Sequence, residues 1–75
     1  MQDASKKYEI ELRFSAGTVE IRGLGPESAH LLPADCQWDP RIAAFRAPAI
    51  AYAAIARALS HHGLVYDDHA RVYGN

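Results

Sequence analysis

From Tyr8 to Phe14 apolar and charged residues alternate, with Tyr8, Ile10, Leu12 and Phe14 on one face and Glu9, Glu11 and Arg13 on the other. A period of two over seven residues commits the segment to a half-buried strand. Ala16-Gly17 follows as a turn in which the glycine takes positive φ, and residues 18–22 resume the alternation with Val19 and Ile21 inward. The two runs form a β-hairpin. In a chain of 75 residues, whatever remains must cover the apolar face of that hairpin.

Residues 23–35 hold two glycines and two prolines and are expected to form a loop rather than a regular element, with Leu31 and Leu32 pinning its far end to the core. A second, tighter hairpin is expected over residues 36–46, with Asp39-Pro40 at or near its turn. Pro48 suits the first turn of a helix, and no glycine or proline interrupts residues 49–62. The segment is rich in alanine, the strongest helix former. Tyr52, Ile55 and Leu59 mark its buried stripe, and Gly63 is placed to end it in a left-handed conformation. A short last strand over residues 64–66 and an irregular or weakly extended tail from Asp67 to Asn75 complete the chain. The expected fold class is α+β: a small mixed or antiparallel sheet of two hairpins plus a short last strand, covered by one helix, in the order β-β-β-β-α-β. Residues 1–7 are expected to be a flexible lead-in, 8–73 one domain and 74–75 a tail.

Composition narrows the function classes. The chain is 49% hydrophobic and 23% charged, with nine acidic and eight basic residues and a formal charge of −1. Such a chain folds, and it lacks the basic excess of an autonomous nucleic-acid binder. The one cysteine, Cys36, forms no internal disulfide, and no apolar run approaches the roughly 20 residues that span a bilayer. A soluble, cytoplasmic domain without membrane contact is expected.

Catalytic and cofactor signatures are missing from the sequence. It has no GxxxxGK[ST] loop, no GxGxxG, no CxxC pair and no HExxH, so neither enzyme activity nor a cofactor is expected. His61 and His62 are read as solvated helix-end residues, because adjacent helical positions point to different sides. Asp67, Asp68 and His69 are read as a solvated turn, and no metal site is expected. Cys36 beside Asp35 has no neighbouring cation and is read as an inert thiol. The unusual stretch is WDPRIAAFRAPA, residues 38–49, which gathers the only tryptophan, two arginines and a phenylalanine. Trp38 and Arg41 could be presented to a partner, since tryptophan stacks on bases and arginine grips phosphate. Equally, Trp38 and Phe45 could be core aromatics with Asp39 capping the turn.

In order and spacing these features resemble the amino-terminal domain of the XPB-type DNA repair helicases of the archaeal and bacterial branch. The likeness rests on residues 17–23, Leu32-Pro33, the Trp38-Asp39-Pro40-Arg41 block, Phe45-Arg46-Ala47-Pro48-Ala49, then Tyr52, Ile55 and Leu59, and Val65-Tyr66-Asp67. It covers residues 8 to about 73. The resemblance implies a domain, often called a damage-recognition domain, that precedes an ATP-driven motor and contacts DNA beside it or packs on the motor. It makes Trp38, Arg41, Phe45 and Arg46 the candidate DNA-binding positions. DNA, as single strands or distorted duplex bound weakly, and the helicase motor are the implied partners. The motor's own motifs lie nowhere in these residues. The alternative is a protein-interaction module that docks on a motor or repair partner without touching DNA.

Overall fold

A computed structural model describes residues 10–69. Its first hairpin pairs β1 (Ile10–Ser15) with β2 (Thr18–Arg22) in the register Leu12 to Ile21 and Phe14 to Val19. Both central turn residues have positive φ, Ala16 at 52° and Gly17 at 82°. That is the backbone of a type I′ turn, whose twist matches the strands it joins. The Thr18 hydroxyl donates to the Ser15 carbonyl and closes the turn. Tyr8, the first inward position of the expected strand, lies outside the described residues.

β3 (Gln37–Asp39) and β4 (Ala44–Pro48) form the second hairpin. Its loop is wider than the tight turn expected from Asp39-Pro40, running through residues 40–43 with Ala43 at φ 54°. Asp39 organises it, accepting the Arg41 backbone N–H on its side chain and the Ile42 N–H on its carbonyl. β4 then pairs with β2, so β2 lies at the centre of the sheet.

Three further expectations need correction. Residues 23–35 are not wholly irregular, because Pro26–Leu31 forms a 3₁₀ helix. Pro26 opens it with a favourable fixed φ, and Leu32, forced into an extended conformation by the following Pro33, ends it. Leu32 is buried in the core as expected, while Leu31 is only half-buried. Pro48 is not a helical residue. It closes β4 opposite Thr18, with ψ 147°, and caps a 3₁₀ turn over Ala49–Ala51 that leads into α1 (Tyr52–His61). The last strand, β5, is Tyr66–Asp68 rather than 64–66, so of the two forms expected from Asp67 onward, irregular or weakly extended, Asp67 and Asp68 take the extended one and pair into the sheet. The chain after α1 delays it. Gly63 at φ 73° donates to Ser60, and Leu64 donates to Leu59, so the backbone of 63–64 is engaged in terminating the helix.

β5 runs parallel to β1 and completes a five-stranded mixed sheet in the order β3-β4-β2-β1-β5. β4 and β5 therefore point the same way with two strands between them, and α1 is the crossover that carries the chain from one to the other. Its path lays Ile55 and Leu59 over the central strands. There they join Ile10, Leu12, Val19, Ile21, Phe45 and Ala47 in a single core, with Leu32 and Ala51 at its margin. Leu64 and Tyr66 pack against it, and the Tyr52 hydroxyl bonds Asp68, tying helix to edge strand. One sheet and one helix make an α+β fold.

Candidate functional site

With α1 on one face, strand alternation sends Glu11, Arg13, Glu20, Arg22, Gln37, Asp39, Arg46 and Asp67 to the other. Register puts opposite charges side by side. Arg13 stands opposite Glu20, which stands opposite Arg46, and Arg22 stands opposite Glu11. Glu20, on the central strand, is the one buried charged residue among those described, and it accepts two hydrogen bonds from Arg22 at 3.0 and 3.2 Å. Cross-strand pairs of opposite sign contribute roughly 0.2–1 kcal/mol each. The face is thus arginine-bearing and internally compensated.

At one edge of this face lies the β3–β4 hairpin. Two arginines converge there on one carboxylate. Arg41 Nε and Nη2 reach Asp39 at 3.2 and 3.1 Å, and Arg46 Nη1 reaches the same carboxylate at 3.2 Å. Arg46 Nη2 also lies 3.4 Å from the Thr18 hydroxyl. The Asp39 side chain is 12% exposed beneath its partners, whereas Arg41 is 81% and Arg46 31% exposed. Above all the bond from Arg41, and then Arg46, holds the Asp39 carboxyl down at about 2. A carboxyl lowered on folding adds stability above its unfolded value of roughly 4, and that contribution is withdrawn as pH falls toward about 2.

The four sequence-predicted positions separate in space. Arg41 and Arg46 come together over Asp39. Trp38 and Phe45 are cross-strand partners on the helix side, their rings edge to face with centroids 5.1 Å apart. Phe45 is fully buried, while Trp38 lies on edge strand β3, half-exposed and packed against the core. Asp39 joins the two arginines, a role beyond the turn cap that its place before Pro40 implies.

Cys36 is half-buried against the core, and desolvation, helped by the Asp35 charge, pushes its thiol up to about 11. A thiol raised on folding loses stability as pH climbs from its ordinary value of 9.0 toward about 11. At neutral pH iodoacetamide should therefore alkylate Cys36 on the order of a hundredfold more slowly in the folded protein than in urea. Comparable rates in the two states, followed by mass spectrometry, would contradict this placement.

His61 and His62 are exposed at the end of α1 with rings 5.3 Å apart. Asp67 and His69, expected in a solvated turn, instead extend the β5 edge. The His69 N–H donates to the Leu12 carbonyl, and His69 Nε2 lies 3.1 Å from Asp67 Oδ2. Parallel pairing places Glu11 directly beside Asp67, so the three side chains bring ligand-type atoms within 4.8 Å of one another. Sequence reading had no access to this grouping, since Glu11 and Asp67 are brought together only by a strand pairing that spans the whole chain.

A small mixed sheet with one helix behind it and a charged, arginine-bearing face in front defines a small α+β domain. The chain belongs to the family of the Xeroderma pigmentosum group B helicase damage recognition domain, whose family model matches residues 12–70. Comparisons with curated proteins and with solved structures give no match. None of the described helices is long and apolar enough to cross a membrane.

Proposed function

We propose that this domain is a non-catalytic accessory of an XPB-type repair helicase, working in the cytoplasm in excision repair, and that it contacts DNA weakly beside the motor. The observation that carries this is the convergence of Arg41, in the β3–β4 loop, and Arg46, on β4, on the single carboxylate of Asp39. A backbone phosphate can replace that carboxylate, offering the same planar pairing to both guanidinium groups. Trp38, on edge strand β3 of the same hairpin but on the helix side of the sheet, is half-buried on Phe45; an unstacked base reaches the exposed part of its ring only by folding around that edge from the phosphate held on the other face. Single strands and distorted duplex are the preferred forms, because only there is a base available to stack.

The test is a fluorescence-anisotropy titration of labelled single-stranded, duplex and bubble DNA. Two phosphate contacts predict weak binding that falls roughly tenfold between about 50 and 200 mM salt. Salt-independent binding, or none, would remove this reading.

One observation favours a second reading, a docking module for the motor or a repair partner. Arg13, Arg22, Arg41 and Arg46 touch Glu11, Glu20 and Asp39, and Asp67 on the same face supplies a fourth carboxylate, so the face carries no net excess of positive charge. A mosaic of both signs suits a protein surface better than a polyanion. It predicts co-elution with the motor domains in size-exclusion chromatography and no DNA affinity.

A further inference from the structure

At the β1–β5 edge of the charged face, Glu11 and Asp67 stand directly opposite each other on neighbouring parallel strands. Like charges in that position repel, and Arg13 beside Glu11 and His69 beside Asp67 flank the pair. His69 is two residues beyond Asp67 on the same side of the chain, fixed by its backbone bond to Leu12. All three ligand-type side chains therefore hang from backbone that the sheet ladder holds in place.

From this grouping we infer a binding site for a divalent transition ion, Zn²⁺ in the first instance, formed by Glu11, Asp67 and His69. His69 Nε2 and Asp67 Oδ2 are 3.1 Å apart. Two ligand atoms each about 2.1 Å from a shared ion and separated by that distance subtend about 95° at it, an angle that mixed nitrogen and oxygen coordination accommodates. The ion takes the place of the proton between them. Glu11 completes the set, all three ligand atoms lying within 4.8 Å of one another. A modest swing of its side chain closes that span. Its contact with Arg13 uses Oε1 and leaves the second carboxylate oxygen for the ion. Imidazole with two carboxylates selects zinc-like ions over Mg²⁺ and Ca²⁺, which favour oxygen alone. Three protein ligands leave a further position for water or an anionic oxygen. The site is separate from the Asp39 hairpin, at the far edge of the sheet, and it stands whether or not the domain binds DNA.

Isothermal titration of the whole chain with Zn²⁺, and separately with Mg²⁺, tests it. The expected result is one-to-one binding of Zn²⁺ with no heat from Mg²⁺, and a shift of the His69 imidazole signals in heteronuclear NMR. His69→Ala and Asp67→Asn should each weaken binding at least about tenfold, since losing even an outer-shell partner can cost a metal site that much. His61→Ala/His62→Ala should leave it unchanged. All of these positions are on the surface, and circular dichroism confirms that the variants fold. Absence of Zn²⁺ binding, binding that survives His69→Ala, or binding lost in the His61/His62 double variant would overturn the site.

Discussion

Phe45→Ala should bring this domain close to unfolding at ordinary temperatures. Phe45 lies opposite Ile21 on β2 and Trp38 on β3, so its ring joins the core across three neighbouring strands. It heads the fully buried side chains. Truncating a buried phenylalanine costs about 3–5 kcal/mol, part in lost transfer energy and part in the cavity left behind. A chain of this length has only about 4–11 kcal/mol of stability in total, at 0.05–0.15 kcal/mol per residue. Thermal melts followed by circular dichroism should show the midpoint lowered by at least about 12 °C, since each kcal/mol shifts a domain of this size by about 4–8 °C. A shift under about 4 °C would mean that Phe45 is not the side chain on which the β3–β4 hairpin is anchored.

The second large effect is on binding. Removing both hairpin arginines, in Arg41→Ala/Arg46→Ala, should weaken DNA affinity at low salt about tenfold or more and flatten its salt dependence. Each phosphate contact contributes about 0.7–0.9 to the slope of log affinity against log salt, so losing two lowers the slope by roughly 1.4–1.8. The fold should persist, because both guanidinium groups lie on the sheet's outer face and neither belongs to the core. A double variant that binds as the parent does, with the parent's salt slope, would place any DNA contact elsewhere.

Local patterns made most of the fold legible. Alternation at Ile10, Leu12, Phe14, Val19 and Ile21 marks strands because burial on one face demands it, and Ile55 and Leu59 mark a helix for the same reason at a different period. Gly63 signals the end of α1, since its backbone must turn left-handed there. Pro48 misleads, because a proline between a strand and a helix fits the last residue of one as well as the first turn of the other. Only its pairing with Thr18 decides. The displacement of β5 follows from Leu64 bonding back to Leu59, a contact with no separate signature in composition.

The candidate site was half legible. Asp39-Pro40-Arg41 announces a turn in which the aspartate bonds locally, and Trp38 and Arg46 are conspicuous by type. That Arg46 returns to the same carboxylate depends on hairpin register, and that Trp38 and Phe45 face away from it depends on strand parity. The meeting of Glu11 with Asp67 and His69 depends on a parallel pairing between the two ends of the domain, which leaves no trace in local spacing.

The most direct test of the proposed phosphate contact is Asp39→Asn. The amide keeps a side-chain oxygen to accept the Arg41 backbone N–H and so preserves the turn, while the charge that occupies both guanidinium groups disappears. Measured against labelled bubble DNA at about 50 mM salt, the affinity of this variant should rise several-fold over the parent, with Arg41 and Arg46 released to the phosphates. An affinity that is unchanged or lower, in a variant whose circular dichroism matches the parent, would show that these arginines serve the hairpin and not DNA.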